Sequence, residues 1–192
     1  MGKLKWIMVA GVAASLVGGC AQDGIRSAAT AETATGSPLS SATSVTTATA
    51  DNNPVKGTTF DACTAITDTD VATWNVDPAN KRDAHKTAFG QRVRGCIWGG
   101  PNWFIKIYAV DTSMTQLAQP NDRWDRHEPV AVGARSGWLI HGTNGISCSV
   151  TIPSQQAVAT VQIDLKLDLT EQRYNQCPLA LRIIRQIEPK IP

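Results

Sequence analysis

Cys63, Cys96, Cys148 and Cys177 constrain this chain more than any other feature, because a fifth cysteine upstream sets the compartment in which they fold. Cys20 follows Leu16-Val17-Gly18-Gly19, and before it stand a charged start (Lys3, Lys5) and an apolar run from Trp6 to Val17. That is the layout of a secretory leader with a short apolar core. Its roughly 12 apolar or small residues fall short of the about 20 that span a bilayer. Gly18 and Gly19 would suit an ordinary leader peptidase too, but a cysteine directly after them is what diacylglyceryl transfer requires, since only a thiolate can be alkylated to the thioether. Cys20 is therefore expected to carry lipid and to begin the mature chain. Two or three acyl chains, at about 0.8 kcal/mol per buried methylene, would hold the protein on the extracytoplasmic face of the cell membrane. Four cysteines then remain in an oxidising compartment, an even set that predicts two disulfides. They lie about 30 to 50 residues apart with no His in a ligand pattern beside them, which argues against zinc. Spacing alone leaves all three pairings open.

Three segments follow: a leader over 1–19, a lipid-anchored tether over 20–57 and a single domain over 58–192. From Ser27 to Ala50, 19 of 24 residues are Ala, Ser or Thr, too little apolar surface to offset the entropy of ordering. A flexible tether of this length would carry the domain on the order of 30 to 35 Å from the lipid. The domain is long enough to bury a core of its own. The chain has 18 Lys and Arg against 16 Asp and Glu, and Lys3 and Lys5 leave with the leader. A neutral body gives no support for nucleic acid as a partner.

Within the domain, Thr67 with Asp70 three residues on resembles a capping box, and a short helix or two is expected between Ala62 and Trp74. Lys81 to Arg94 holds Lys81, Arg82, Lys86, Arg92, Arg94 and His85 against Asp83. It reads as a solvated loop leading into a strand, with contact to anionic lipid or wall polymer as the alternative. Cys96-Ile97-Trp98 and the run from Trp103 to Val110 flank Gly99-Gly100-Pro101-Asn102, the pattern of a β-hairpin. Ser113 to Ala118 suits a short helix. Strands follow at Val130–Val132, Gly137–Ile140, Cys148–Ile152 and Ala157–Lys166. In the last, Ala157, Ala159, Val161, Ile163 and Leu165 alternate with Thr160, Gln162, Asp164 and Lys166, so one face is buried and the other wet or partly covered, as in an antiparallel sheet. Cys177, Ala180, Leu181, Ile184 and Ile187 fall at helical spacing, with Pro178 in the first turn. The expected fold is α+β: an antiparallel meander packed with an N-terminal and a C-terminal helix and closed by two disulfides.

Phe60-Asp61-Ala62-Cys63, Ile66-Thr67, Arg94-Gly95-Cys96-Ile97-Trp98, Pro129-Val130-Ala131-Val132-Gly133, Cys148-Ser149-Val150 and the late Cys177 together resemble a four-cysteine domain of unknown function found in actinobacterial lipoproteins, mycobacterial and nocardial ones especially. The resemblance runs from about Phe60 to Pro189. It implies envelope localisation and pairing in chain order, Cys63 with Cys96 and Cys148 with Cys177, but no activity. Where such proteins tend to have Asp-Pro-Cys before the last helix, this chain has Asn175-Gln176-Cys177-Pro178.

Motifs for chemistry are sparse. Gly133-Ala134-Arg135-Ser136-Gly137 reads as a hairpin turn rather than a nucleophile elbow. His85, His127 and His141 are isolated from one another in sequence, and neither a metal nor another cofactor is expected. Asp122, Asp125 and Glu128 are interleaved with Arg123 and Arg126, which reads as local ion pairing. Trp98, Trp103 and Trp138 sit on strands and are core by default. Trp124, ringed by charge in the stretch from Asn121 to Glu128, is read as lying on a polar loop, either folded back as a lid on the core or as an anchor, where Arg123, Trp124 and Arg126 would meet a partner, since buried Trp and Arg dominate interface energies. The functional expectation is a non-enzymatic binding or accessory module of the envelope, meeting a protein, lipid or wall polymer there. The alternative is a carrier of a hydrophobic small molecule or lipid, for which a dry cavity under the terminal helix would be the mark; a hydrolase is the third.

Overall fold

The computed structural model describes residues 55–88 and 90–192. The leader, Cys20 and all but the end of the tether lie outside the described residues. Val55, placed by the sequence reading within the tether, is already buried in the core.

The opening helices form where the caps direct them. Asp61 caps α1 (Ala62–Ala65) through Cys63 N–H. Thr67 and Asp70 form the expected reciprocal capping box at the start of α2 (Asp68–Val71). A 3-10 turn at Pro78–Asn80 leads into eight strands: β1 (Arg82–Asp83), β2 (Lys86–Ala88), β3 (Gln91–Gly99), β4 (Trp103–Val110), β5 (Trp124–Val132), β6 (Arg135–Gly142), β7 (Ser147–Ser154) and β8 (Ala157–Leu165). Between β4 and β5 lies α3 (Met114–Leu117), begun by a second capping box, Ser113 with Gln116. After β8 come α4 (Leu167–Glu171) and α5 (Cys177–Ile187).

All eight strands share one antiparallel sheet in the order β1-β3-β4-β8-β7-β6-β5, with β2 also on β3. β4 pairs with β8 rather than with β5, so the first hairpin closes onto the end of the meander. Apolar content explains the placement. β8, buried at Ala157 to Val161 and again at Ile163 and Leu165, is central, while β5, rich in charge and carrying Pro129, takes an edge. Charge and proline there discourage pairing with another chain. Two segments read as loops are strand instead: Lys81 to Arg94 supplies the edge strands β1 and β2 and the start of the inner strand β3, and the stretch from Asn121 to Glu128 is edge strand from Trp124 onward. The edge strands β1, β2 and β5 lack the apolar alternation that marks a strand, because an edge strand need bury little.

The core lies on one face of the sheet. Ile105, Ile107, Val150, Ile152, Val161 and Ile163 meet Ile183, Ile184 and Ile187 of α5, all at 0% exposure. The expected helix is present, with Leu179 and Ile183 buried beside the anticipated positions and Leu181 only partly so. Its start is supported by Asn175, whose side-chain oxygen accepts from Cys177 N–H at 3.2 Å. The disulfides are Cys63–Cys96 and Cys148–Cys177, in chain order, tying α1 to β3 and α5 to β7. The α+β expectation therefore holds.

Candidate functional site

The second face of the sheet is also built. Antiparallel register puts Val93, Gly95 and Ile97 of β3, Lys106, Tyr108 and Val110 of β4, Val158, Thr160 and Gln162 of β8, and Ser147, Ser149 and Thr151 of β7 on the side away from α5. They floor a groove of about 510 Å³, walled by the segment from Asp83 to Lys86, by Leu117, and by Arg123 and Trp124. A site of that size falls within the roughly 300–1,000 Å³ range of small-molecule pockets.

Gly95 lets β4 approach β3 closely there. A Cβ on it would stand 2.1 Å from Ile107 O and 2.5 Å from Tyr108 Cα, distances no side chain tolerates. The backbones of β3 and β4 can therefore close beneath the Tyr108 ring.

Register irregularity supplies the wall. By simple alternation Trp124 would share a face with Arg126 and Glu128. A β-bulge between Trp124 and Arg126 inserts one residue, so Trp124 stands opposite Gly142 while Arg126 stands opposite His141. Bulges re-aim side chains in this way. Trp124 and Arg123 thus line the groove, with the Arg123 guanidinium 5.6 Å from the Trp124 ring centroid. Arg126 goes to the other face, paired with Glu128 at 2.9 Å and with the His141 ring at 3.0 Å. The three residues expected to act together are thereby divided.

Most polar groups on the floor are already bonded. Tyr108 donates to Gln162 Oε1 at 2.7 Å, Gln162 donates to Asp164 at 2.6 Å, and Asp164 pairs with Lys106. Thr151 and Thr160 bond each other at 2.9 Å. Burial, and then the Asp164 carboxylate, push the Tyr108 phenol well above its ordinary pKa, with the Arg123 charge opposing, so this group stays a protonated donor. Two ring nitrogens on the walls are buried without a protein partner, Trp124 Nε1 and His85 Nδ1. A buried polar atom left so costs about 1–3 kcal/mol. Trp98 Nε1 is also unpartnered, but it lies in the core and not in the groove.

A second pocket, of about 410 Å³, opens beside the Cys148–Cys177 disulfide. There His141 faces Arg126, Glu128 and Cys177 Sγ, and Gln176 donates to Gly145 O. His141, Cys148 and Cys177 are close enough together to suggest a metal site, as are Cys63, Asp83 and His85. Disulfide bonding consumes the sulfurs, leaving one imidazole in the first cluster and an imidazole with a carboxylate in the second.

Tyr108, Gln162, Thr160, Ser149 and His85 escaped sequence reasoning. Their signal was the uncharged polar alternation of Ser147, Ser149 and Thr151 and of Thr160 and Gln162 on central strands, where an open solvent face would carry Lys and Glu. Trp138, expected in the core, is only partly buried and meets His127 edge-on at 4.9 Å. Trp103, likewise expected in the core, is partly buried, donates to Trp74 O and stacks on Tyr174.

Fold and groove together define a disulfide-linked α+β domain with a ligand-sized cleft on the sheet face opposite its core. Residues 15–190 match the family described as "Protein of unknown function (DUF3558)", and the chain belongs to that family. No curated protein and no solved structure matches it.

Proposed function

We propose that this protein is a lipid-anchored component of an actinobacterial cell envelope, held by Cys20 on the extracytoplasmic face of the membrane, whose domain binds a ligand rather than turning one over. The observation that carries the binding reading is the groove with two unspent ring nitrogens, Trp124 Nε1 and His85 Nδ1, on its walls. The raised phenol of Tyr108 supports it, because a proton held more tightly serves hydrogen bonding and not nucleophilic or base chemistry. Thr151 and Thr160, bonded to each other, leave no hydroxyl beside a base on that stretch of floor.

Carriage of a small amphiphile is favoured over a flat macromolecular contact by the groove's volume and concavity. The space under α5, where a carrier cavity was anticipated, is filled by Ile183, Ile184 and Ile187. The ligand space is therefore assigned to the opposite face.

The test is recovery of the full chain from its native membrane, followed by identification of what accompanies it, alongside Ser149→Trp, which fills the groove floor. The bound species should disappear from the variant while its melting temperature stays near the parent's. Recovery of the same species from both proteins would place binding elsewhere. Cys20→Ala is expected to shift the protein out of the membrane fraction or leave it uncleaved, and unchanged processing and fractionation would refute lipid anchoring.

A further inference from the structure

Among the described residues two large apolar side chains are exposed, Leu167 at 70% and Tyr174 at 44%. Both belong to one end of the sheet. Leu167 opens α4, and Tyr174 follows that helix with its N–H bonded to Leu169 O at 3.0 Å. Leu167 lines a depression with Pro101, Phe104 and Leu169, while Tyr174 stacks on the Trp103 ring at 6.1 Å. Pairing of Trp103 with Leu165, and the bond from Lys166 N–H to Asn102 O at 2.9 Å, hold α4 against the β3–β4 turn. Trp103 and Phe104 leave β4 on opposite faces, so the apolar surface wraps the end of the sheet. A single exposed apolar residue needs no explanation, but a contiguous patch marks a contact. Charges of both signs surround it, Arg82, Lys166 and Arg173 with Asp77, Asp168 and Glu171, so net charge selects no partner there. Lys166 and Arg82 lie over the Phe104 ring, 5.2 and 5.3 Å from its centroid. Their long stems let the charged ends stay in water while the ring beneath is covered. Trp and Tyr beside Leu, under cations of that kind, are the side chains that settle at a membrane–water boundary.

The chain enters the domain at the other end of the sheet. Gly57 O accepts from Gln156 N–H at 2.8 Å, and Thr59 N–H donates to Gln155 at 2.8 Å, both at the β7–β8 turn. From there β8 runs from Ala157 to Leu165, about 26 Å at about 3.3 Å per residue. The reach expected of the preceding Ala/Ser/Thr-rich chain, on the order of 30 to 35 Å, matches that span. A linker whose mean length matches the distance between two contacts gives the second contact its highest effective concentration. Resting on the lipid-anchor reading above, we infer that the tip formed by Leu167, Tyr174, Trp103 and Phe104 docks on the bilayer that holds the Cys20 lipid. The contact is apolar and interfacial. The domain then stands with its strands across the membrane surface, its tip in the headgroup layer and its point of chain entry at the top.

The experiment uses the processed, lipid-bearing protein reconstituted into phosphatidylcholine vesicles. Asp168→Cys, exposed on α4, and Gln156→Cys, at the far turn, each supply one free thiol, because the lipid occupies Cys20 and the other four cysteines are paired. Each thiol is labelled with bimane, and quenching by lipids that carry a nitroxide on the acyl chain is read. The label at Asp168→Cys should be quenched and the label at Gln156→Cys should not. Adding Leu167→Asp to the Asp168→Cys protein should abolish the quenching while the protein stays on the vesicles. An acid suits the first residue of a helix, and an unchanged melting temperature shows that the variant folds. Phosphatidylglycerol vesicles should give the same result, since the contact is apolar. Equal quenching at the two positions, quenching that survives Leu167→Asp, or quenching confined to phosphatidylglycerol overturns the inference. Protein retained on the vesicles but unquenched at Asp168→Cys sinks this inference alone and leaves the patch to a second copy or another protein. Protein that leaves the vesicles altogether sinks lipid anchoring and this inference together.

Discussion

Trp124 faces Gly142 across the two outermost strands of the meander, and one inserted residue, Asp125, separates that pairing from Arg126 opposite His141. Without the bulge the indole would lie on the core side of the sheet and the groove would lose a wall. The ring is half-buried, with its nitrogen covered.

Half-burial sets the cost of removing it. Trp124→Ala should lose about 1–2 kcal/mol, the part of its apolar area that is covered. Trp98→Ala, at 0% exposure, should lose about 3–5 kcal/mol. Urea unfolding of the two variants side by side checks this. Equal losses would make Trp124 a lid on the core and not a groove wall.

Gly95 is replaceable by nothing larger. Gly95→Ala drives a Cβ into Ile107 O and the Tyr108 backbone, which belong to a paired strand and cannot step aside. A loss of about 1–3 kcal/mol is expected, as for overpacking elsewhere, together with loss of groove binding. Gly90→Ala meets nothing within 4 Å, though its φ of +76° also strains a side chain. It separates backbone strain from the steric clash, and its cost should be the smaller of the two.

What could be read in the sequence tracks what each residue must bury. The α5 stripe and the β8 alternation were legible because each element turns one face to a core, and the capping boxes because their partners lie three residues apart. The β5 strand was not. Its charges belong to an edge that needs little burial, and the bulge that turns Trp124 inward is a register relation between strands. The groove was hidden for the same reason, its floor being assembled from β3, β4, β7 and β8, none of which carries the site alone. Arg126 shows the limit most clearly, since it is two residues from Trp124 in sequence and on the opposite face of the sheet.

The two disulfides close loops of similar length, with sequence separations of 33 and 29. Chain-entropy arguments assign each about 3–4 kcal/mol. Cys148→Ala with Cys177→Ala should lower stability by that amount and free the start of α5, seen as faster amide exchange through Leu179 and Ala180. The Cys63→Ala, Cys96→Ala pair should leave α5 protected and loosen α1 instead. Exchange that rises everywhere alike in both variants would show that the bonds do not act locally.

Asp70 joins α2 to the end of the chain. Burial disfavours its charge, but the Lys190 ammonium and the Thr67 backbone N–H and hydroxyl together outweigh that and hold the carboxyl below its ordinary value. A lowered folded-state pKa means stability that is present above the ordinary carboxylate range and lost as pH falls toward the folded value. At neutral pH, Asp70→Asn should therefore be less stable than the parent by about 1 kcal/mol, the usual worth of a helix cap. The gap should narrow below about pH 4 and close where the parent's carboxyl is itself protonated. Lys190→Met should reproduce part of the neutral-pH loss, since Lys190 also bonds Ala65 O at 3.3 Å. Urea midpoints measured from pH 7 down to pH 2 decide it: a difference between parent and Asp70→Asn that does not change with pH would mean that the carboxylate charge contributes nothing there.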